Sequence, residues 1–155
     1  MISNLHIISS KTSGGAERFC LRLAHALRQD GWETSLLLRH GSILAPHVSS
    51  KIQVCQTTMA TAWDPWSRWQ IARAIRRLKP ELIQTYMGRA TRLTRLRGHA
   101  AVHVARLGGH YRLTGYCHAD AWIGNTKGLC DYLIDQGLPR NVFSIFTISS
   151  ICRRN

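Results

Sequence analysis

Leu5-His6-Ile7-Ile8-Ser9-Ser10 is an apolar run that closes on small polar residues, and Lys11-Thr12-Ser13-Gly14-Gly15-Ala16-Glu17 follows it. Four to eight apolar residues ending in turn residues read as a buried strand. Beyond the glycine pair, Ala16, Phe19, Cys20, Leu23, Ala24 and Leu27 recur at steps of three and four, with Arg18, Arg22, Arg28 and Gln29 between them. That spacing predicts an amphipathic helix, with Ser13 as its N-cap, Glu17 in its first turn and Gly31 as its stop. Residues 32–39 then read as a second strand. Strand, glycine turn, helix and strand make a βαβ unit, and βαβ units build parallel sheets.

The same alternation continues outward. Residues 51–57 are a third strand, and Pro65 opens a helix that Pro80 terminates. Residues 81–86 form the fourth strand, 88–97 a short basic helix, 100–106 the fifth strand and 121–125 the sixth. Thr126 caps a helix through Leu129, Cys130, Leu133 and Ile134, which Gly137-Leu138-Pro139 stops before a last strand from Val142. The expected fold is α/β: a doubly wound, Rossmann-like, mostly parallel sheet flanked by helices. It occupies residues 1–145 as one domain, with an irregular tail at 146–155 that ends in Arg153-Arg154-Asn155.

Composition narrows the partners. The 155 residues are 45% hydrophobic and 19% charged, an ordinary globular balance. No apolar run is long enough for a membrane-spanning helix, and the N-terminus reads as a first strand rather than a signal peptide. Five cysteines, odd in number and without a C-x-x-C, fit reduced thiols in the cytoplasm better than a disulfide framework or a zinc site. Cys117-His118 with Asp120 offers metal-capable atoms but lacks a second half-site, so no metal is expected. There are 21 Lys+Arg against 8 Asp+Glu, a net charge of +13, and most of the basic residues are arginine. Such a field attracts polyanions: nucleic acid, an anionic membrane or phosphorylated substrates. One basic cluster holds Arg68, Arg73, Arg76, Arg77 and Lys79; another holds Arg89, Arg92, Arg95, Arg97, Arg106 and Arg112.

In open α/β sheets, ligands bind beyond the carboxyl ends of the strands, where a helix N-terminus presents free N–H groups to an anion. Gly14 and Gly15 lie at such a point, but they complete neither a Walker loop nor a G-x-G-x-x-G, and a tight turn alone explains them equally well. Trp63, Trp66 and Trp69 recur every three residues and lead into Arg73, Arg76 and Arg77. Tryptophan beside arginine on an amphipathic helix suits a membrane interface, and it equally suits an aromatic face packed on the sheet.

Gly14-Gly15-Ala16-Glu17-Arg18-Phe19, then Leu21 to Leu27, then Asp30-Gly31-Trp32-Glu33-Thr34, together resemble the opening of family-4 type glycosyltransferases. Lys79-Pro80-Glu81-Leu82-Ile83, and Asp120 to Thr126 followed by Gly137-Leu138-Pro139 and Val142, resemble later parts of the same N-terminal domain. Arg106-Leu107-Gly108-Gly109-His110-Tyr111 has the character of bacterial members that build lipopolysaccharide or other cell-surface polysaccharide. The resemblance covers about residues 4–145.

It implies one half of a two-domain GT-B architecture, the half that holds a saccharide or lipid-linked acceptor for a retaining, hexosyl-type transfer. The nucleotide-sugar donor is a co-substrate bound by a second domain whose E-x7-E segment this sequence lacks, so the chain is expected to be inactive alone. No cofactor or metal is implied. Gly14, Gly15 and Glu17 match the loop beside the donor phosphates and acceptor. Arg106 and His110 become the catalytic candidates, and Arg89, Asn125 and Lys127 the acceptor-side ones. Apart from the resemblance, the cysteine pattern leads to an expected cytoplasmic location, and the tryptophan–arginine segment adds an expectation of peripheral contact at the inner face of the membrane. Two other functions fit less well: a nucleic-acid module lacks a recognisable motif, and a standalone nucleotide-binding protein lacks the dinucleotide fingerprint.

Overall fold

The computed structural model describes residues 1–139 and 142–144. The expected tail at 146–155, with Cys152, Arg153 and Arg154, lies outside the described residues, as does Ile145. Among the described residues seven strands form one sheet: β1 (Ser3–Ile8), β2 (Glu33–Arg39), β3 (Gln53–Thr57), β4 (Leu82–Tyr86), β5 (Val102–Leu107), β6 (Ala121–Gly124) and β7 (Val142–Ser144). Their order is β3-β2-β1-β4-β5-β6-β7, and every neighbouring pair is parallel. The chain therefore leaves β1 in one direction and returns to build β4 on its other side. The crevice between β1 and β4 is the topological switch point, where an α/β sheet accommodates a ligand.

Among the described residues four α-helices complete the layers: α1 (Gly15–Gln29), α2 (Pro65–Leu78), α3 (Met87–Leu93) and α4 (Lys127–Asp135). A sheet covered on both faces wants strands that are apolar throughout. Leu36, Leu37 and Leu38 meet that demand, each almost wholly buried. Leu36 and Leu38, with Ile8, pack against Cys20 and Ala24 of α1. Leu37, with Leu5, Ile7 and Ile83, packs on the other face against Ile71, Ala74 and Ile75 of α2 and Ala90 and Leu93 of α3. Farther along, Ala105, Leu107 and Trp122 pack against Leu129 and Leu133 of α4. No helix among the described residues is long and apolar enough to cross a membrane.

Three expectations change. The N-cap of α1 is Gly14 in an extended conformation, and no side chain caps it. Ser13 does not serve, and the preceding hydroxyls are spent locally, Ser10 Oγ lying 3.2 Å from Thr12 Oγ1. The basic helix expected at 88–97 ends at Leu93. There the Thr94 hydroxyl turns back to donate to the Ala90 carbonyl at 2.9 Å. Finally, the tryptophans do not pack on the sheet. The buried stripe of α2 is Ser67, Ile71, Ala74 and Ile75, while Trp63, Trp66 and Trp69 are 70%, 56% and 45% exposed. The reason lies at the helix start. Asp64 accepts from the Trp66 N–H at 3.0 Å, and Ser67 Oγ accepts from the Met59 N–H at 2.8 Å. Those two contacts turn position 67 inward and carry 66 and 69 outward.

Candidate active site

The carboxyl ends of β1, β4, β5 and β6 enclose a cavity of about 650 Å³. Gly15, Ala16, Glu17, Arg18, Phe19 and Arg22 line it from α1, Met87 from the start of α3, Arg106, Gly108 and Tyr111 from β5 and its loop, and Asn125 from just after β6. It opens at the switch point on the α1 face of the sheet. Because α1 lacks a side-chain cap, its first N–H groups and the positive end of its dipole are presented to this space.

Arg106 is the central charge. It is only 7% exposed. Its guanidinium carbon lies 4.2 Å from the centroid of the Phe19 ring and 5.7 Å from that of Tyr86. Ring faces attract a cation through their quadrupole, most strongly where water is excluded. Its Nε is buried with no hydrogen-bond partner among the described residues. Burial pulls the guanidinium below its ordinary range, and Tyr86, Cys20 and Glu17 act against that shift. An arginine stays protonated under any physiological condition, so the cavity carries a fixed positive charge.

The wall behind Arg106 is polar yet neutral. The Tyr86 hydroxyl lies 3.0 Å from His6 Nδ1. Burial lowers His6 to about 4, pushes Cys20 up to about 12 and lifts Tyr86 well above its ordinary value. None of the three carries charge at neutral pH. Arg106, Arg18 and Arg22 thus face one carboxylate among the lining residues, that of Glu17. That carboxylate folds back over the N-terminus of its own helix: a Cβ added at Gly14 would lie 2.8 Å from Glu17 Oε2.

Close approach explains a second glycine. A Cβ at Gly108 would lie 3.1 Å from Asn125 Nδ2, so Gly108 lets Asn125 reach over the β5 loop. Asn125 Oδ1 is buried and has no hydrogen-bond partner among the described residues. Met87, at the mouth, has φ +70°, the left-handed region that a non-glycine residue adopts only under constraint.

The structure gathers Gly15, Glu17, Arg106 and Asn125 around one cavity, with Gly14 as the adjoining cap. Other candidates lie elsewhere. His110 is exposed, with its ring 4.5 Å from that of Tyr132 in an edge-on contact on α4. Arg89 is on the opposite face, where its Nη1 donates to the Met59 carbonyl at 3.1 Å. Lys127 is exposed at the start of α4. Arg73, Arg76 and Arg77 lie with the tryptophans on the outer face of α2. The metal-capable atoms near residue 118 are engaged individually. His118 Nε2 lies 2.8 and 2.9 Å from the Thr91 and Thr94 carbonyls, which puts its proton on Nε2, and Asp120 accepts from the His103 N–H at 2.8 Å.

Sequence reading gives no site role to Phe19 and Tyr86, which hold Arg106, or to Arg18 and Arg22, which line the cavity. The last two stand four apart on the turns just after a glycine pair, and that spacing is the available signal.

Comparison with known proteins identifies the family and the fold. The sequence profile of Glycosyltransferase Family 4 matches residues 13–146. The lipopolysaccharide core biosynthesis glycosyltransferase LpsD of Rhizobium meliloti (strain 1021) is 28% identical over 116 residues, covering 68% of this chain and 31% of LpsD. Among solved structures, the apo lipopolysaccharide outer core galactosyltransferase WaaB superposes with a TM-score of 0.66 at 12% identity, over 90% of this chain and 44% of its own. Anabaena Alr3699/HepE in complex with UDP and glucose gives 0.66 at 16% identity, over 94% and 44%. This chain therefore spans about a third of the curated relative and under half of these solved chains. The fold is that of one half of a GT-B architecture. The chain belongs to Glycosyltransferase Family 4.

Proposed function

We propose that this member of Glycosyltransferase Family 4 supplies the acceptor-side half of a retaining, hexosyl-type sugar transfer from a nucleotide-sugar to a saccharide or lipid-linked acceptor of the bacterial cell surface. The carrying observation is the cavity at the β1–β4 switch point, with Arg106 held in it by two aromatic rings. Transfer requires that the departing diphosphate be stabilised and the acceptor hydroxyl be positioned. Fixed positive charge and backbone N–H groups in a dry site suit the first task. Arg106 and the N-terminus of α1 provide both. Asn125, with a carbonyl oxygen unsatisfied among the described residues, suits the second. In this reading the donor is bound by a second domain closing over this wall. The described cysteines Cys20, Cys55, Cys117 and Cys130 are all free thiols, in keeping with work in the cytoplasm.

Titration calorimetry with inorganic pyrophosphate, a probe for the diphosphate, tests the reading on the 155-residue chain. Pyrophosphate binds, and Arg106→Leu weakens it about tenfold or more, the scale of lost charge-assisted hydrogen bonds. Arg106→Lys recovers part of the loss. Unchanged affinity in Arg106→Leu would remove the cavity's proposed role. Sugar transfer catalysed by the isolated chain would remove the division of labour.

A further inference from the structure

The Arg106 cavity has an apolar side that its charges do not explain. Met87 and Tyr111 both line it, and they are 41% and 50% exposed. One buried side chain, Tyr116, backs the two of them. Its ring lies 6.3 Å from that of Tyr111 at an interplanar angle of 15°. Its hydroxyl closes on the backbone beside Met87, since a Cβ added at Gly88 would lie 3.0 Å from that oxygen. Tyr116 is itself fixed from behind, its carbonyl accepting from Trp122 Nε1 at 2.9 Å. Met87 and Tyr111 thus form a supported apolar lip on a cavity whose other charged walls are cationic.

Met87 is also held against its own preference. Its φ of +70° lies where glycine is at ease and a side chain is disfavoured. Glycine stands one residue later, at 88, yet the turn is made at 87. The Met87 carbonyl accepts from Thr91 Oγ1 at 2.9 Å, and Thr85 Oγ1 lies 2.9 Å from both Thr91 Oγ1 and His103 Nε2. Thr85, Thr91 and His103 are all buried. Strained backbone that buried neighbours over-determine gathers where a side chain serves a ligand. What the strain secures here is a thioether at the cavity mouth, a soft apolar surface that adapts to what it touches.

The polar groups select the occupant of that lip. Arg106 Nε is a buried donor and Asn125 Oδ1 a buried acceptor, both without a hydrogen-bond partner among the described residues. An ionised phosphate accepts from Arg106 but has no hydrogen to give Asn125. An alkyl chain on the lip would leave both groups unpaired, and buried unpaired polar groups oppose binding. A pyranose ring carries C–H groups across its face and hydroxyls around its rim, so it satisfies an apolar lip and an amide oxygen together.

We propose that Met87 and Tyr111 are specificity-determining residues, which take the C–H face of the acceptor's sugar ring while a ring hydroxyl donates to Asn125 Oδ1. The ring then sits beside the Arg106 charge rather than on it. That this ring is the acceptor's rests on the proposed transfer function; that a pyranose is seated on the lip does not.

Saturation-transfer NMR on the 155-residue chain tests this, because it reads which ligand protons lie against the protein. The probes are the methyl glycosides of glucose, galactose and mannose, with hexyl phosphate as the alkyl alternative. At least one glycoside binds, with transfer concentrated on the C–H protons of one ring face. Met87→Asn keeps a residue that tolerates the left-handed backbone but removes the thioether. It weakens glycoside binding about fivefold or more, as does Tyr111→Ser. Met87→Leu, apolar and of similar volume, retains most of the affinity. Met87→Gly weakens the glycoside while leaving the urea midpoint level or higher, a pairing that a purely structural residue does not give. In each weakened variant the loss for glycoside exceeds the loss for pyrophosphate, and Arg106→Leu reverses that order. Absence of glycoside binding to the wild-type chain, indifference of glycoside affinity to both lip residues, a preference of the lip for hexyl phosphate over every glycoside, or a fallen midpoint in Met87→Gly would each overturn the proposal. Loss of pyrophosphate binding with lip-dependent glycoside binding intact would remove the anion role of Arg106 and sustain the lip.

Discussion

Among the described residues three arginines lie over aromatic rings, and the surroundings make two of them, Arg106 and Arg73, different objects. Arg106 is enclosed by Phe19 and Tyr86 and is almost wholly buried, with its Nε lacking a hydrogen-bond partner among the described residues. Arg73 lies over Trp69 on the outside of α2, where both side chains are exposed. In water a cation–π contact contributes roughly 0.5–1 kcal/mol and a charge is screened within about 10 Å, whereas a desolvated pair reaches about 2 kcal/mol. The buried pair is thus a directional receptor whose charge is felt across the cavity. The exposed pair matters only summed with its neighbours. One chemistry yields a point site in one place and a surface in the other, and burial alone decides which.

The largest expected effect tests the buried side of this contrast. Tyr86 is fully buried, packs in the α1 core and underlies Arg106. Tyr86→Ala empties that volume, removes the partner of His6 Nδ1 and takes away one wall of the arginine's seat. Core aromatic-to-alanine changes cost about 3–5 kcal/mol. Urea denaturation should show a loss in that range, together with weakened pyrophosphate binding. A loss under about 1 kcal/mol would mean that the ring is no structural clamp.

Acid provides the next test. Burial holds both His6 and His103 at about 4 in the folded protein, with His118 and Arg95 adding to the lowering at His103 and Asp120 opposing it. In the unfolded chain both titrate near 6.5. Between these values the unfolded state binds more protons, so stability rises with pH across the window from 4 to 6.5 and is fully present above it. Each pH unit of that window is worth about 1.4 kcal/mol per histidine, so acidification from pH 7 to 4 should cost up to about 3 kcal/mol for each. The urea midpoint falls steeply in this range, and replacing His6 with Gln flattens part of the slope. No histidine lies on α2, so the outer face carries no imidazole to titrate there. A midpoint independent of pH between 7 and 4 would contradict the buried, neutral wall.

How much of this is legible in the sequence follows from which contacts are local. Glycine and proline punctuation with apolar periodicity is local, and it delivers the βαβ alternation, the stop at Gly31 and the Thr126 cap, whose hydroxyl accepts from the Leu129 N–H at 3.2 Å. The glycine loop is legible as lying at the sheet edge where the cavity opens, since fold topology fixes that edge. Its cap residue is not, because Gly14 and Ser13 differ by a rotation of the chain that no periodicity records. The seat of Arg106 is out of reach for a different reason. Phe19, Tyr86 and Arg106 come from three separate elements, and the register that aligns Ile8 with Tyr86, and Tyr86 with Arg106, is tertiary. The orientation of α2 is ambiguous in sequence because Trp66 and Trp69 and Ile71 and Ile75 each offer an apolar stripe. Asp64 and Ser67 settle it, by hydrogen bonds to backbone that the sequence alone does not pair.

The smallest expected effect is the sharpest test of the contrast. If the indoles on α2 do not support the fold, removing them should barely touch stability. Trp69→Ala gives up a stacked neighbour at 4.9 Å and one exposed cation–π contact, while alanine has a higher helix propensity than tryptophan. The two effects nearly cancel, so unfolding stability from the urea midpoint should change by no more than about 0.5 kcal/mol, as exposed substitutions do. A stability loss approaching that of Tyr86→Ala would make Trp69 a structural residue after all. The two arginine–aromatic pairs would then be one kind of feature, differing in exposure but not in purpose.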